Sequence, residues 1–183
     1  LEANLAVLDR VQRDTGCRIL LALKGFAMFS TFPVIRRVLH GTAASSLHEA
    51  RLGAEEFGRE VHVYAPAYRD DEFDELLRYA HHMVFNSFAQ WRRFRPAVQR
   101  CARPVRCGIR INPRHSEVKV PLYDPCAPGS RLGVTREQFT KPGFNLLTHL
   151  GFSQAELLAA NDVIVGRMTI EEKAKLAAAR DML

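Results

Sequence analysis

The sequence predicts an α/β fold in which parallel strands alternate with helices. Five short apolar segments of strand length occur between residues 18 and 111, and a helical or loop pattern follows each of them. The helical segments repeat apolar residues every three or four positions, and glycine, serine or proline marks their ends. Alternation of this kind is typical of parallel strands joined by crossover helices.

Composition and length narrow the class of protein. The chain has 183 residues, of which 47% are hydrophobic and 25% charged. This balance is typical of one globular domain or slightly more, and it excludes disordered and collagen-like chains. The longest apolar run, residues 19–23, is far shorter than the ~18 residues of a membrane-spanning helix, so no membrane partner is expected.

The charge pattern and the cysteine spacing argue against a nucleic-acid partner and a zinc knuckle. The net charge is +6, and basic residues cluster in residues 91–95 and 100–114. The first cluster has helical spacing with an apolar stripe, which indicates a solvated helix face, and nucleic-acid binding is not expected. The four cysteines form no C-x-x-C pair and no secretory signal is present, so reduced cysteines in the cytoplasm are expected instead of a zinc knuckle.

The elements follow in order along the chain. A first helix over residues 4–13 ends at Gly16, and a helix over residues 46–57 is capped by Ser46, with Glu49 three residues on and Gly58 as its stop. The remaining predicted helices cover residues 32–39, about 70–80 and 87–98. The predicted strands cover residues 18–23, which we expect to be buried, and residues 41–44, 61–65, 82–85 and 105–111.

The pattern changes after the fifth strand. Prolines and glycines make residues 113–133 a long loop. Two capping boxes, at Ser153–Glu156 and Thr169–Glu172, then begin short helices, and residues 163–165 are the sole candidate for a further strand. The sequence thus divides into residues 1–139, which carry the strand–helix rhythm, and a helical tail over residues 140–183. Because the chain starts at Leu1 on a helical pattern, we expect an N-terminally incomplete fragment.

Two architectures accommodate five strands in this length. One is a small doubly wound sheet. The other is a (β/α)₈ barrel cut off after its fifth strand, because a complete barrel needs roughly 200–250 residues. An open barrel would expose strand edges and apolar surface, so we expect the isolated chain to associate or aggregate.

Lys24 is the sharpest candidate for chemistry. It ends the apolar strand I-L-L-A-L-K and precedes Gly25. The carboxyl ends of parallel strands are where ligands bind in α/β folds. Partial desolvation there would favour the neutral, nucleophilic amine that forms a Schiff base with an aldehyde cofactor. A lysine that merely ends a strand and points to solvent is the equally weighted alternative.

Two further places carry polar groups near predicted strand ends. Ser45, Ser46 and Glu49 lie at the next strand-to-helix turn, where small residues let a ligand approach; a simple helix cap would explain them as well. Arg110 shares a strand face with Arg106 and Gly108, and an inward arginine needs a polar partner such as a cofactor oxygen or a carboxylate.

Histidines and tyrosines give weaker signals. A metal role for the His81–His82 pair is disfavoured because neighbours on a strand face opposite ways. His62 is interpreted as an ordinary strand residue. Tyr64 and Tyr68 are interpreted as packing residues.

Six motifs within residues 1–139 together resemble the carboxynorspermidine decarboxylase family. They are L-A-L-K-G-F, H-G-T-A-A-S-S-L-H-E-A-R-L-G, E-V-H-V-Y-A-P-A-Y-R-D-D-E-F, V-F-N-S, G-I-R-I-N-P and D-P-C-A-P-G-S-R-L-G. The resemblance places the chain in the alanine-racemase-like group of pyridoxal-phosphate-dependent decarboxylases. It implies a (β/α)₈ barrel, truncated here after about five strands, and a homodimer with shared active sites.

The resemblance also assigns roles. It implies that Lys24 bonds to pyridoxal 5′-phosphate, that Arg110 lies beside the pyridoxal ring, and that Ser45, Ser46 and Glu49 line the cofactor pocket. The implied reaction is decarboxylation of carboxynorspermidine or carboxyspermidine to norspermidine or spermidine. The alternatives are an inactive fragment that acts only through association, and a carrier that binds the cofactor without decarboxylating. Residues 141–171 faintly resemble a segment of adenosylcobalamin-dependent ribonucleotide reductases.

Overall fold

The computed structural model describes residues 1–139, 148 and 151–164. The chain divides into two compact units. Leu1–Phe85 together with Val105–Gly108 form the first unit, and Asn86–Pro104 together with the chain from Ile109 onward form the second. No helix among the described residues is long and apolar enough to cross a membrane.

A five-stranded parallel sheet organises the chain and confirms the predicted α/β class. The strands lie in sequence order, β1-β2-β3-β4-β5, so each strand neighbours the next one along the chain. Their bounds are β1 Leu20–Ala22, β2 Gly41–Ala44, β3 Glu60–Tyr64, β4 His82–Phe85 and β5 Arg106–Ile109. The register pairs Ala22 with Ala43, Ala43 with His62, and His62 with His82.

Helices connect the strands as predicted, but the helix predicted over residues 32–39 is α-helical only over Phe32–Ile35. The helices are α1 Glu2–Thr15, α2 Phe32–Ile35, α3 Leu47–Leu52, α4 Asp70–Tyr79 and α5 Phe88–Arg100. Gly16 and Gly58 end their helical segments with positive φ angles of 70°, which a residue without Cβ adopts without strain. The predicted helix over residues 46–57 is α-helical only as far as Leu52 and continues as a π-helical turn over Gly53–Phe57.

Strict alternation along the central strands separates two faces of the sheet. Val61 and Val63 of β3, with Met83 and Phe85 of β4, are buried, whereas the intervening residues are only partly buried. The buried face lies on the side of the connecting helices, where α3 and the π-helical turn contact β2 and β3. The polar side chains of β3 therefore lie on the opposite face.

The start of the chain packs around a second apolar cluster. Its fully or nearly buried members are Leu5, Leu23, Phe32, Ile35, Leu39 and Phe57. Gln12 fastens α1 to this part of the fold, because its amide donates to the Val38 carbonyl at 3.0 Å and accepts from the Ile19 N–H at 2.9 Å. One polar side chain thereby fixes the helix against the entry to β1.

The first strand is shorter and less buried than the sequence predicted. β1 covers three residues instead of the predicted six, and it is not buried: Leu20 and Leu21 are partly buried and Ala22 is exposed. The physical reason is its place in the sheet, because β1 is an edge strand with a single neighbour, β2.

The second unit contains the other differences between the predicted and the observed strands and helices. The predicted strand 105–111 breaks at Arg110, and β6 Ile111–Asn112 pairs with β7 Val134–Thr135 beyond the predicted loop. Helix α6 covers Arg136–Phe139, and α7 covers Gln154–Ile164. Val163 and Ile164 are therefore helical, and the strand suggested for residues 163–165 is wrong there. The Thr169–Glu172 box lies outside the described residues.

Asn86 organises the second unit. Its side-chain amide donates to the Arg131 carbonyl, and its side-chain oxygen accepts from the Gly133 N–H, both at 2.8 Å. Ser87 caps α5 by accepting from the Gln90 N–H at 3.1 Å. The predicted cap at Ser153 is confirmed, because its hydroxyl accepts from the Glu156 N–H at 3.2 Å. The V-F-N-S motif therefore has a structural role.

Two glycines allow close approach around β2. A Cβ on Gly41 would overlap the backbone carbonyl of Glu60, its partner in the register. A Cβ on Gly53 would overlap the hydroxyl of Thr42, which is fully buried. Because a backbone carbonyl cannot rotate away as a side chain can, Gly41 is the stricter requirement.

We expect Gly41→Ala to lower the free energy of unfolding by about 1–3 kcal/mol, because the added methyl group must separate β2 from β3. The matched control is Gly108→Ala, where an added Cβ would have no neighbour within 4 Å. Urea denaturation followed by circular dichroism measures both changes. Equal stabilities for the two variants would contradict this reason for the glycine.

Candidate functional site

Lys24 lies in a tight turn at the carboxyl edge of the sheet, as predicted. The Leu23 N–H still donates to the Ala43 carbonyl of β2 at 3.0 Å. The Gly25 and Phe26 N–H groups then both donate to the Ala22 carbonyl, at 3.0 and 3.1 Å. Lys24 thus comes two residues after Ala22, the last residue of β1 paired with β2, and hydrogen bonds on both sides fix its backbone.

The side chain of Lys24 is exposed, which corrects the expectation of partial desolvation. The reason is the edge position of β1, which leaves no further strand among the described residues to cover it. Lys24 makes no hydrogen bond or ion pair with another described residue, so its amine is available to a ligand.

Ser45, Ser46 and Glu49 lie at the same sheet edge, one strand along. Parallel register places Ser45 after β2 as it places Lys24 after β1. The Ser46 hydroxyl accepts from the Glu49 N–H at 3.2 Å, and the Glu49 carboxylate accepts from the Ser45 N–H at 2.6 Å. The first contact is a helix N-cap and confirms the helix-cap interpretation for Ser46, while Glu49 holds the residue before the cap. The Ser45 and Ser46 side chains remain exposed.

Arg110 belongs to the second unit. It lies between β5 and β6, and its carbonyl accepts from the Val134 N–H at 2.8 Å. The strand therefore bends where strand alternation predicted a continuous face through Arg106, Gly108 and Arg110. The first unit brings Lys24, Ser45, Ser46 and Glu49 to one edge of the sheet, and Arg110 lies in the second unit.

Tyr68 stabilises the loop that follows β3. Its hydroxyl donates to the Val84 carbonyl at 2.7 Å, and its ring packs edge-on against Phe73 and Phe85. Burial raises the pKa of this phenol well above its ordinary value, so the hydroxyl stays protonated and donates. The expectation that Tyr68 is a packing residue is confirmed.

A cluster of Glu60, His62 and His82, which the sequence did not reveal as a site, lies on the sheet face opposite the helices. The His62 and His82 rings stack with centroids 4.0 Å apart and planes 8° apart. Glu60 Oε2 lies 3.1 Å from His62 Nε2 and 3.7 Å from His82 Nε2. His81 lies apart from this arrangement, because its Nδ1 accepts from the Val61 N–H at 3.1 Å.

A weak signal for the cluster is present in the sequence. The E-x-H spacing in E-V-H-V-Y puts Glu60 and His62 on one face of a strand. The adjacent pair His81–His82 is the more conspicuous motif, but neighbours on a strand face opposite ways. What the sequence lacks is the register that sets His82 beside His62.

Burial and neighbouring side chains shift the pKa values of Glu60 and His82 in the cluster. The hydrogen bond from His62 lowers the pKa of the Glu60 carboxyl below its ordinary 4.5, with smaller contributions from His82 and Arg18. Burial, followed by the proximity of His62, lowers the pKa of His82 below 6.5. Near neutral pH the cluster therefore holds one carboxylate and a neutral His82.

We expect Glu60→Gln to destabilise the fold at pH 7 but not at strongly acidic pH. Because the pKa of Glu60 is lower in the folded chain, its contribution is complete above the unfolded value, near 4.5, and is lost as pH falls through the folded value. Thermal unfolding of variant and parent between pH 7 and pH 3 tests this. Glu56→Gln, at an exposed glutamate of the π-helical turn, is the control, and an identical pH trend for both variants would contradict the prediction.

Three curated relatives resemble this chain. A carboxyaminopropylagmatine decarboxylase from Synechocystis is 52% identical over 134 residues, which cover 73% of this chain and 34% of that protein. A carboxynorspermidine/carboxyspermidine decarboxylase from Campylobacter jejuni is 35% identical over 152 residues, which cover 83% of this chain and 39% of that protein. Another from Herminiimonas arsenicoxydans is 40% identical over 130 residues, which cover 71% of this chain and 34% of that protein.

A solved structure agrees with these relatives. The crystal structure of carboxynorspermidine decarboxylase from Campylobacter jejuni, complexed with norspermidine, superposes with a TM-score of 0.64 at 32% identity. The match covers 76% of this chain and 34% of that one. No protein-family model matches the chain. These relatives lend no support to the ribonucleotide reductase resemblance of residues 141–171.

The chain spans little more than a third of the length of the relatives it matches. Its parallel α/β sheet agrees with part of the barrel-like fold of the solved decarboxylase. The chain is therefore related by homology, over part of their length, to the carboxynorspermidine/carboxyspermidine decarboxylases.

Proposed function

We propose that this chain supplies the cofactor-binding lysine of a pyridoxal-phosphate-dependent decarboxylase acting on a carboxylated polyamine. The substrates proposed first are carboxynorspermidine and carboxyspermidine, with norspermidine and spermidine as the products. The observation that carries the proposal is Lys24: an exposed amine in a hydrogen-bonded turn at the carboxyl edge of a parallel sheet.

The residues present fit the cofactor at this edge. A primary amine that makes no ion pair with the described residues can bond to the cofactor's aldehyde. The turn that closes on the Ala22 carbonyl restricts where its Nζ can reach. When bound, pyridoxal phosphate supplies the electron sink that makes loss of carbon dioxide possible.

The other predicted site residues have distinct parts in the proposal. Ser46 and Glu49 hold the strand-to-helix turn through their cap, and the exposed Ser45 hydroxyl is the group at that turn that remains open to a ligand. Arg110 is proposed as a cation for a cofactor oxygen, because a planar guanidinium binds oxygen anions through several N–H donors.

The substrate could also be a guanidino analogue. The relative with 52% identity is a carboxyaminopropylagmatine decarboxylase, whereas the carboxynorspermidine/carboxyspermidine decarboxylases from Campylobacter jejuni and Herminiimonas arsenicoxydans are 35% and 40% identical. Carboxyaminopropylagmatine is therefore the second candidate. A competition assay with all three carboxylated amines, measuring the amine product of each, distinguishes them.

The proposal extends to the oligomeric state of the protein and its location in the cell. A homodimer is proposed, because the family that the sequence resembles implies one. A cytoplasmic location is proposed from the four unpaired cysteines. An inactive fragment and a cofactor carrier remain the alternatives for a segment of this length.

We expect pyridoxal phosphate at one equivalent, followed by borohydride reduction, to label Lys24 in the parent chain. Lys24→Arg keeps the charge but lacks a primary amine, so it should lose the label. Lys119→Arg, at an exposed lysine in the loop of the second unit, is the control and should keep the label at Lys24. Peptide mass spectrometry locates the label, and labelling spread evenly over the lysines would contradict the proposal.

A separate measurement of carbon dioxide release tests the reaction itself. If Lys24 is labelled and carbon dioxide is released from a carboxylated polyamine, the decarboxylase is supported. If Lys24 is labelled but no carbon dioxide is released, the cofactor carrier is supported. If there is neither labelling nor release, the inactive fragment is the remaining alternative.

A further inference from the structure

We propose that Glu60, His62 and His82 form a binding site for a first-row divalent transition-metal ion, with Zn²⁺ as its representative. The three ligand atoms lie within 4.8 Å of one another. None of these residues is among the predicted cofactor-site residues, so the inference does not depend on the proposed function.

The spacing of the three side chains suits a small cation. A tetrahedral Zn²⁺ with bonds of about 2.1 Å separates its ligand atoms by about 3.4 Å. The Glu60 carboxylate oxygen lies 3.1 Å from His62 Nε2 and 3.7 Å from His82 Nε2, on either side of that value. Only small movements bring the carboxylate and both imidazoles to one centre.

The sheet itself holds the ligands in place. Parallel register sets His62 directly beside His82, and Glu60 lies two residues before His62 on the same face of β3. All three side chains project from strands instead of loops. A bound cation would therefore link β3 to β4 across their register.

The rings must tilt for a cation to bind. They now lie nearly parallel, and the lone pairs of parallel rings do not converge on one point. Rotation of each ring about its Cβ–Cγ bond aims both Nε2 atoms at the carboxylate side. The side chains are 33%, 29% and 24% exposed for Glu60, His62 and His82, which leaves room for this rotation and for water as a further ligand.

The donor set selects the class of metal. Two imidazoles with one carboxylate suit zinc, iron, cobalt, nickel and copper, whereas calcium and magnesium prefer all-oxygen sites. Two cationic side chains act on the cluster: Arg18 on Glu60, and Arg106 on His82. Both oppose a dication, so we expect removal of the exposed Arg106 charge to tighten binding.

The test is titration of the chelator-treated chain with ZnCl₂ by calorimetry, together with a Co²⁺ absorption spectrum. We expect one equivalent to bind and the melting temperature to rise with free Zn²⁺. His62→Gln and His82→Gln should each weaken binding at least about tenfold, since outer-sphere changes alone cost this much in metal sites. His48→Gln, at an exposed histidine of α3, should bind like the parent, and Arg106→Gln should bind more tightly.

Circular dichroism checks that each variant is folded. If a histidine variant is not folded, Glu60→Gln takes its place and should show the same loss. The proposal is overturned if the parent binds no Zn²⁺ at millimolar concentration, or if the double variant His62→Gln/His82→Gln binds as tightly as the parent. A Co²⁺ spectrum with thiolate charge-transfer bands would also overturn it, because that would place the metal on the cysteines.

Discussion

The parallel register of the sheet is the constraint on which the rest of this structure depends. It sets Ala22 beside Ala43, Ala43 beside His62, and His62 beside His82. Because the strands run the same way, their carboxyl ends lie at one edge, where Lys24 and Ser45 follow consecutive strands. Because side chains alternate, the same register separates an apolar face against the helices from a face that carries Glu60, His62 and His82.

Several polar side chains that could have taken part in catalysis or ligand binding instead form hydrogen bonds that stabilise the fold. Ser46 accepts from an N–H in the first turn of α3, and Glu49 accepts from the Ser45 N–H before that helix. Gln12 fastens α1 to the segment before β1, and Asn86 bridges two backbone groups of its unit. Each meets a backbone hydrogen-bonding need that water would otherwise have to meet. Lys24 differs from them, because its side chain is exposed and its turn is closed by backbone bonds alone.

Local signals predicted most of the elements. Caps at Ser46 and Ser153 and stops at Gly16 and Gly58 depend on residues close together in the chain, and the structure has all four. The errors concern interactions between distant segments. The strand over residues 105–111 breaks at Arg110 because β6 pairs with β7, more than twenty residues later, and β1 is not buried because it has a single neighbour in the sheet.

The sequence by itself determined the α/β class, the rhythm of strand and helix, the caps at Ser46 and Ser153 and the place of Lys24 at a strand end. These follow from periodicity and from side chains acting on their own backbone within a few residues. Only the tertiary structure decided that Lys24 is exposed, that Arg110 lies in a separate unit, and that His82 stacks on His62 beside Glu60. The reason is that register and burial are properties of paired strands, and twenty residues separate His62 from His82 along the chain.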